Sequence, residues 1–506
     1  MKVDIKNLPH SLESLHKIIV DLQSELIGYK EKYVRLIEEL RLARQQRFAP
    51  SSEKNILQPD LFDEAGVELT EELEAQIDDS VDSENKPPKK RPVRRPLPKD
   101  FPRERVIHDI PESEKICACG SHLAQIGEEI TEQMKYIPAK LSVIQHVRPK
   151  YACKSCQDNV KIAPMPVLLL PKSIATPELV AHTIVTKYAD HVPLYRQEVI
   201  WQRLEIDLPR SSLCAWILKT AELCEPLVRC LHQLILQSGY IQADETTVQV
   251  LEEMGRSNTA KSFLWAYRGG DRDKPSCVFV YEETRGGYHA REFLSGFKGY
   301  LQSDAYSGYD WIEKVEDICS VKCFAHARRY FAECAKLSKK PGLAATALGF
   351  FKQLYAIEKR AREANLSAER RYALREQQAP PILEKFKQWL EEHLSKVPPQ
   401  QKLGQAIQYS LRNWKELNHY LKDGRIEIDN NLVENAIRPF AIGRKNWLFC
   451  GSPRGAKAGA ILYSLLETCK ANAIEPYRYF VAMLQRIRLC TNDEDYRQLL
   501  PQFIQL

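Results

Sequence analysis

The chain has 506 residues, and its 73 Lys and Arg against 67 Asp and Glu give a formal net charge of +6 at pH 7. This length predicts several domains, and the mildly basic average hides strong local charge asymmetry. Fourteen Cys without an N-terminal apolar signal region favour a reducing cytosol, with thiols that are buried or bind metal. No stretch approaches about eighteen consecutive apolar residues, which excludes a membrane span and predicts a soluble, cytoplasmic protein.

Residues 1–48 carry a heptad pattern. Apolar residues alternate spacings of four and three, at Leu8, Leu12, Leu15, Ile19, Leu22, Leu26, Tyr29, Tyr33, Leu36 and Leu40. This period is typical of a coiled-coil seam and predicts a homo-oligomer, at least a dimer. The alternative is one amphipathic helix that packs against its own domain.

Residues 49–105 separate acidic from basic charge and contain repeated prolines. An acidic half, residues 60–84, precedes a basic half, residues 86–105. Such a composition cannot build a core and predicts an extended linker. Its basic half could contact DNA phosphates or pair with the acidic half.

Residues 106–165 contain two cysteine pairs, which are Cys117 with Cys119 and Cys153 with Cys156. Four thiolates in two pairs, separated by β-forming sequence, are typical of a structural Zn²⁺ site. The C-x-C spacing of the first pair leaves His122 as an alternative fourth ligand. Paired core thiols are the other interpretation.

Residues 166–238 show helical periodicity, with helix starts predicted at Thr176 and Ser211. Short helices followed by a long one, with Trp216 in the core, predict a helix-turn-helix-like DNA-binding module. The residues expected to face DNA are Lys187, Arg196, Arg203 and Arg210. A helical connector would carry similar residues, and this alternative stays open.

Three acidic residues lie where predicted elements could bring them to one site. Asp244 interrupts the β-rich run Tyr240–Leu251, and Asp304 ends a short strand. Glu434 follows the helix-capping residues at 429–431. Carboxylate oxygens suit Mg²⁺, and two such ions about 4 Å apart catalyse phosphodiester chemistry. A solvated glutamate on an ordinary amphipathic helix is the alternative for Glu434.

Further secondary-structure elements are predicted around these acidic residues. They are strands at Ser262–Tyr267, Cys277–Tyr281 and Ile318–Lys322, and a helix at Tyr288–Gly296. Residues 332–425 predict a helical insertion, interrupted at Pro380-Pro381 and at Pro398-Pro399. The Glu434 helix is expected to end at Arg438, because Pro439 follows.

Basic and aromatic residues near the acidic positions are candidates for DNA contacts. They are Arg328, Arg329, Arg438, Arg444, Lys445, Trp447, Arg454 and Lys457. The glycine-rich stretch 443–459 is expected to form a turn that holds a DNA strand near the metals. The pair Cys323-x-x-His326 is either a zinc-ligand pair or, as we favour, a core cysteine beside a histidine that supports a ligand or contacts DNA.

Several of these segments resemble the large transposase of the insertion-sequence-66 family of bacterial mobile elements. They are ADET at 243–246, GYLQSDAYSGY at 299–309, CFAHARRYF at 323–331, and the run 427–477 that contains NNLVENAIRP and GRKNW. The resemblance covers most of the chain, from the coiled coil to about Phe480. The Cys117-x-Cys119 spacing departs from the C-x-x-C that is more usual at this place in the family.

The resemblance implies a multidomain α+β protein with a ribonuclease-H-like catalytic domain. Residues 239–331 and 426–480 would form its two parts, and 481–506 a C-terminal tail. Asp244, Asp304 and Glu434 would be a DDE triad that uses two Mg²⁺ or Mn²⁺ ions. The implied partners are element ends, target DNA and accessory proteins of the same element.

Two rival functions remain open from the sequence. One is a ribonuclease-H-fold nuclease that cuts DNA without joining strands, and the other is a DNA-binding regulator without catalysis. Glu427 and Asn430 are the alternatives to Glu434 as the third residue of the site.

Overall fold

The computed structural model describes residues 141–151, 161–336 and 342–506, together with a few residues between Ser11 and Tyr29. The described residues fall into two compact units, one within residues 83–166 and one that includes residues 167–506. In the smaller unit, β1 (Lys150–Tyr151) pairs antiparallel with β2 (Lys161–Ile162). The predicted zinc ligands Cys117, Cys119, Cys153 and Cys156, and most of the predicted coiled coil, lie outside the described residues.

A five-stranded mixed sheet organises the larger unit. Its strands are β3 (Tyr240–Gln249), β4 (Lys261–Asp271), β5 (Lys274–Glu282), β6 (Gly299–Ser303) and β7 (Ile318–Lys322). Their order across the sheet is β5-β4-β3-β6-β7. Strands β3, β4 and β5 pair antiparallel, whereas β6 and β7 run parallel to β3. The predicted bounds of β7 are confirmed, and the other four strands lie where the sequence predicts them.

Thirteen α-helices lie in the described residues from Pro177 onward. They are α1 (Pro177–Tyr188), α2 (Leu194–Gln202), α3 (Arg210–Gln237), α4 (Gly287–Phe293), α5 (Phe324–Lys336), α6 (Leu343–Glu363), α7 (Ala368–Leu394), α8 (Lys402–Arg412), α9 (Trp414–Asn418), α10 (Asn431–Trp447), α11 (Pro453–Ala471), α12 (Pro476–Arg486) and α13 (Asp493–Gln498). The first begins as predicted, because the Thr176 side chain accepts a hydrogen bond from the Leu179 N–H.

The two faces of the larger sheet carry different elements. On one face, the Phe279 ring of β5 packs against the Tyr463 ring of α11, with ring centroids 6.1 Å apart. On the other, Tyr267 of β4 stacks on Phe293 of α4, with ring centroids 3.7 Å apart. Because side chains alternate between the two faces along a strand, consecutive residues of β3 contact different elements.

Helices α5 to α9 form a second apolar core beside the sheet. Phe331, Phe351 and Phe386 are buried in it, and so are Ile426 and Ile428 from the segment that follows these helices. Helices α6 to α9 lie within residues 332–425, and the core that they share extends to the residues directly before α10.

Two predicted helix ends are wrong. Helix α7 continues through Pro380 and Pro381, and α10 continues through Pro439 to Trp447. A proline inside a helix costs roughly 3 kcal/mol. In α10, Ile437 and Phe440 on either side of the proline are buried. Each such side chain contributes about 1.5–3 kcal/mol, so their burial outweighs the lost backbone hydrogen bond.

Candidate active site

Asp244 lies in β3, and Asp304 directly follows β6, the strand that pairs with β3. Strand β3 pairs parallel with β6, and Gln242 lies opposite Gln302 in this ladder. Asp244 and Asp304 each follow their glutamine by two residues, and both side chains are half-buried. Because parallel strands are about 4.8 Å apart, continuing this register brings the two carboxylates to one end of the sheet.

Close approach of the two strands depends on a glycine at the start of β6. Gly299 has a positive φ of 138°, and a Cβ at this position would collide with the Gly239 carbonyl. The next residue, Tyr300, donates its N–H to that same carbonyl at 2.9 Å. Gly299 therefore permits the parallel pairing of β6 with β3.

Asp304 is held in a turn at the end of β6. Its carboxylate accepts a hydrogen bond from the Tyr306 N–H at 3.0 Å. Its backbone carbonyl accepts another from Nζ of Lys322, also at 3.0 Å. Burial lowers the pKa of Lys322, although the charge of Asp304 opposes this shift. A cation supplied by β7 thus lies beside the Asp304 turn.

Glu245 is a buried carboxylate that sequence reasoning missed. It points to the sheet face opposite Asp244, where Arg285 lies 2.5 Å from its Oε1 and the Tyr309 hydroxyl donates to its Oε2. Burial and then the charge of Asp304 raise the pKa of Glu245, and Arg285 offsets them only in part. The signal for it in the sequence is its position directly after Asp244 in the motif ADET, because side chains alternate along a strand and Glu245 must therefore point to the other face of the sheet.

The start of α10 is hydrogen-bonded to both acid-bearing strands. The Gln242 side chain donates to the Asp429 carbonyl at 2.8 Å and accepts from the Val433 N–H at 3.2 Å. The Gln302 side chain donates to the Glu427 carbonyl at 2.9 Å. These amides fix the first turn of α10, which carries the buried Glu434, relative to β3 and β6.

Glu434 lies beside the predicted Cys-His pair. One ligand atom each of Cys323, His326 and Glu434 lie within 4.8 Å of one another. Among the residues that the structure describes, this is the one group of three His, Cys, Asp or Glu residues that meets this distance, so Asp244, Asp304 and Glu434 do not form such a group. Cys323 is buried, as a core cysteine would be.

The alternatives for the third position have other surroundings. Glu427 accepts hydrogen bonds from Arg371 at 2.7 and 2.5 Å. Burial opposes ionisation of Glu427, but Arg371 outweighs it and holds the pKa below its ordinary value. Asn430 precedes α10 and is buried, and its N–H donates to Cys323 Sγ at 3.3 Å.

The predicted DNA-contact residues have unequal access to solvent. Lys445, Arg454 and Lys457 are exposed, although Arg454 forms an ion pair with Glu222 of α3. The Arg444 guanidinium instead donates to the Thr247 hydroxyl at 2.9 Å. The other four candidates, Arg328, Arg329, Arg438 and Trp447, are half-buried.

The predicted glycine-rich turn at 443–459 is wrong in its extent. Helix α10 continues to Trp447, and α11 begins at Pro453, so only five residues lie between the helices. Gly443 therefore belongs to α10, whereas Arg454 and Lys457 belong to the first turns of α11. The Ser452 side chain caps α11 by accepting from the Gly455 N–H.

The first predicted DNA-binding module forms three helices, α1 to α3. Arg196, Arg203 and Arg210 are exposed. Lys187 is half-buried, and its Nζ lies 5.3 Å from the ring centroid of Tyr188 and 6.0 Å from that of Trp447. Burial lowers the pKa of Lys187. Its position against aromatic rings makes it less accessible to phosphate than the three arginines.

Comparison with known proteins gives the relationship of the whole chain. The family profile described as "Transposase IS66 family" matches residues 172–458. The chain belongs to the IS66 transposase family. The uncharacterized protein y4jD of Sinorhizobium fredii (strain NBRC 101917 / NGR234) is 34% identical over 388 residues, which cover 74% of this chain and 75% of the relative. The uncharacterized protein y4qI of the same organism is 34% identical, over 77% of this chain and 74% of its own length.

Three further IS66-related profiles match other parts of the chain. "Zinc-finger binding domain of transposase IS66" matches residues 114–157, and "IS66 C-terminal element" matches 464–502. "Transposase C of IS166 homeodomain" matches residues 35–106. Family membership indicates a transposase with DNA-binding and zinc-finger domains. Within the described residues, no helix combines the length and apolarity that crossing a membrane requires.

Proposed function

We propose that this transposase is a DDE enzyme in which Asp244, Asp304 and Glu434 act together in metal-dependent cleavage and joining of DNA. The observation that supports the proposal is the parallel β3–β6 ladder, in which Gln242 lies opposite Gln302, each two residues before one of the aspartates. The hydrogen bonds from Gln242 and Gln302 to the segment around α10 add Glu434 to the same neighbourhood.

The topology supports a ribonuclease-H-like catalytic domain. Three consecutive antiparallel strands are followed by two parallel strands on the far side of the first, in the order β5-β4-β3-β6-β7. In this interpretation residues 239–331 and 426–480 form the catalytic core. The helical insertion at 332–425 separates Glu434 from the aspartates in sequence and adds its own core.

The donor set fits Mg²⁺ or Mn²⁺. Half-buried carboxylates of Asp244 and Asp304 at one sheet end are the hard oxygen ligands that these ions prefer. Two such ions, when bound, stabilise the attacking and the leaving oxygen of a phosphodiester. Asp244 and Asp304 would hold the first ion, and Glu434 would complete the site of the second.

The protein residues around the aspartates have separate roles. Arg285 neutralises Glu245 on the opposite face, and Lys322 holds the backbone of Asp304. Gln242 and Gln302 position the α10 start. No side chain is required as a covalent nucleophile, since water first cleaves the 3′ end and the freed 3′-OH then attacks target DNA.

DNA is the proposed partner at several surfaces. Exposed Lys445, Arg454 and Lys457 near the ends of α10 and α11, and Arg328 and Arg329 on α5, would contact phosphates. Structural Zn²⁺ at Cys117, Cys119, Cys153 and Cys156 would support recognition of the terminal inverted repeats. A coiled coil within residues 1–48 would pair two chains so that both element ends are held in one complex.

Cleavage of a labelled duplex with the element's terminal repeat tests the proposal. Asp244→Asn, Asp304→Asn and Glu434→Gln should each lower Mg²⁺-dependent nicking by about 10³-fold or more, while DNA binding persists. Asp317→Asn is the control, because that carboxylate is 56% exposed and forms an ion pair with Lys298, which is itself 73% exposed. Full nicking by Asp304→Asn would remove that residue from the site.

Strand joining separates the transposase from a nuclease of the same fold. A duplex supplied with a precut 3′-OH should be joined to target DNA by the wild-type chain and not by Asp304→Asn. Nicking without joining would favour the nuclease. Binding without either reaction, with Mg²⁺ or Mn²⁺ present, would favour a non-catalytic regulator.

A further inference from the structure

We infer that Cys323, His326 and Glu434 form a binding site for a transition-metal dication of the Zn²⁺ class, separate from the predicted zinc-finger ligands. Their ligand atoms lie within 4.8 Å of one another. Cys323 and Glu434 are buried, and His326 is partly exposed. The group combines a thiol, an imidazole and a carboxylate, which together are the usual donors to Zn²⁺.

Two helix starts build this group. Cys323 directly precedes α5, and His326, three residues later, lies in its first turn on the same side of the helix. Glu434 comes from the first turn of α10. Backbone N–H groups and helix dipoles at both starts favour anionic ligands, and the Asn430 N–H already donates to Cys323 Sγ.

The donor chemistry favours Zn²⁺ over Mg²⁺. A thiolate and an imidazole are softer ligands than the oxygens that Mg²⁺ requires. Tetrahedral Zn²⁺ with bonds of about 2.0–2.3 Å separates its ligand atoms by roughly 3.5 Å, so side-chain shifts of about 1 Å complete the site. Binding would release the Cys323 thiol proton to solvent. Three protein ligands would leave one position for water.

A buried amide beside the group supports a polar occupant. Both side-chain polar atoms of Asn430 are buried, and within the described part of the chain they have no hydrogen-bond partner. Buried polar groups are almost always paired with protein or ordered water. A hydrated cation at Cys323 and Glu434 brings water molecules that such an amide can bind.

The site has a consequence for catalysis, which rests on the proposed function. A Zn²⁺ ion at Cys323 and His326 would compete with the Mg²⁺ site at Asp244 and Asp304 for the Glu434 carboxylate. Zn²⁺ would therefore hold Glu434 in an inactive arrangement. Micromolar Zn²⁺ should inhibit Mg²⁺-dependent nicking by the wild-type chain, whereas Cys323→Ser should have lost much of that sensitivity.

Zinc content of the full-length protein tests the site without any activity assay. Zinc per chain would be measured by mass spectrometry after exhaustive dialysis. Cys323→Ser and His326→Gln should each contain one zinc fewer than the wild type. Cys334→Ser, on the same helix but outside the group, should keep the wild-type content. Unchanged zinc in both Cys323→Ser and His326→Gln would overturn the inference.

Two further readouts keep the test decisive. His326 is partly exposed, so His326→Gln reports on the site if Cys323→Ser disturbs folding, which circular dichroism would detect. In a Cys153→Ser/Cys156→Ser background, Co²⁺ should still give a thiolate charge-transfer band that Cys323→Ser abolishes. If the variants lose zinc as expected but the wild-type chain does not cut DNA, the proposed function fails while the metal site stands.

Discussion

Replacing Glu358 by Gln should destabilise the helical insertion more than any surface substitution in it. The Glu358 carboxylate accepts hydrogen bonds from Arg371 at 2.9 and 2.6 Å and from Arg375 at 2.6 and 2.8 Å. Both arginine side chains are at most 1% exposed. Glutamine keeps the shape but leaves two buried guanidinium groups with one remaining carboxylate partner, Glu427.

The expected cost follows from that burial. Removing one partner of a buried ion pair destabilises a protein by about 3–5 kcal/mol, because the remaining charge stays out of water. At 1.4 kcal/mol per tenfold change, the open population of the insertion should rise about 10²–10³-fold or more. Hydrogen exchange of amides in α6 and α7 should accelerate by that factor.

The network also holds the segment that leads to Glu434. Arg375 donates to the carbonyls of Tyr420, Asp423 and Ile426, and Arg371 binds Glu427. Loosening this segment should lower the nicking rate while DNA affinity is retained. In the proposed mechanism, Arg371 and Arg375 would act as positioning residues and would not touch the reacting atoms.

A matched control is available on the same helix. Glu363 is 65% exposed and lies 3.8 Å from Lys359, so Glu363→Gln should change stability by less than about 0.5 kcal/mol. The reasoning is refuted if Glu358→Gln accelerates exchange in α6 and α7 no more than Glu363→Gln does.

Three further predictions concern other parts of the chain. Burial raises the pKa of the Cys319 thiol, but His419, whose Nδ1 lies 3.3 Å from the sulfur, and then Lys422 bring that pKa below its ordinary value. Cys319 should therefore react with iodoacetamide at pH 7 several-fold faster than Cys334. His419→Gln should remove that difference. Gly443→Ala would place a methyl group 3.0–3.2 Å from polar atoms of Trp447, Tyr463 and His191, and should lower the melting temperature through a cost of about 1–3 kcal/mol. The pKa of Glu427 is depressed in the folded chain, so its contribution to folding stability is fully present above the ordinary carboxyl pKa of about 4.3 and is lost as the pH falls through the lower folded-state pKa. Glu427→Gln should therefore make the stability of the insertion, measured by circular dichroism, less sensitive to acid. An unchanged acid transition would count against this assignment.

The strands of the sheet are well predicted because each one has a recognisable local sequence pattern. β-branched and aromatic residues mark β3 to β5, and an apolar run bounded by a turn marks β6. The strand that carries Asp244 begins at Tyr240 as predicted and ends two residues before the predicted Leu251. Local pattern is sufficient here, because the sheet is built from short-range strand propensity and alternating burial.

Long-range packing explains what the sequence could not predict. Pro439 and Pro380 signal helix ends locally, yet tertiary burial keeps α10 and α7 continuous. Arg371 and Arg375, which no local pattern marks as core residues, are fully buried and paired with Glu358. The proximity of Glu434 to Cys323, more than one hundred residues earlier, depends on the same tertiary arrangement.

A metal-specificity switch tests most directly whether Asp304 is a metal ligand in DNA cleavage. Asp304→Cys replaces a hard oxygen ligand by a thiolate, which binds Mn²⁺ more readily than Mg²⁺. Nicking of the terminal-repeat duplex would be measured with each ion, and Asp317→Cys would serve as the control. The proposal predicts that Asp304→Cys loses activity with Mg²⁺ and regains a substantial part of it with Mn²⁺. Equal activity of Asp304→Cys and the wild type with Mg²⁺, or an equal loss with both ions, would contradict it.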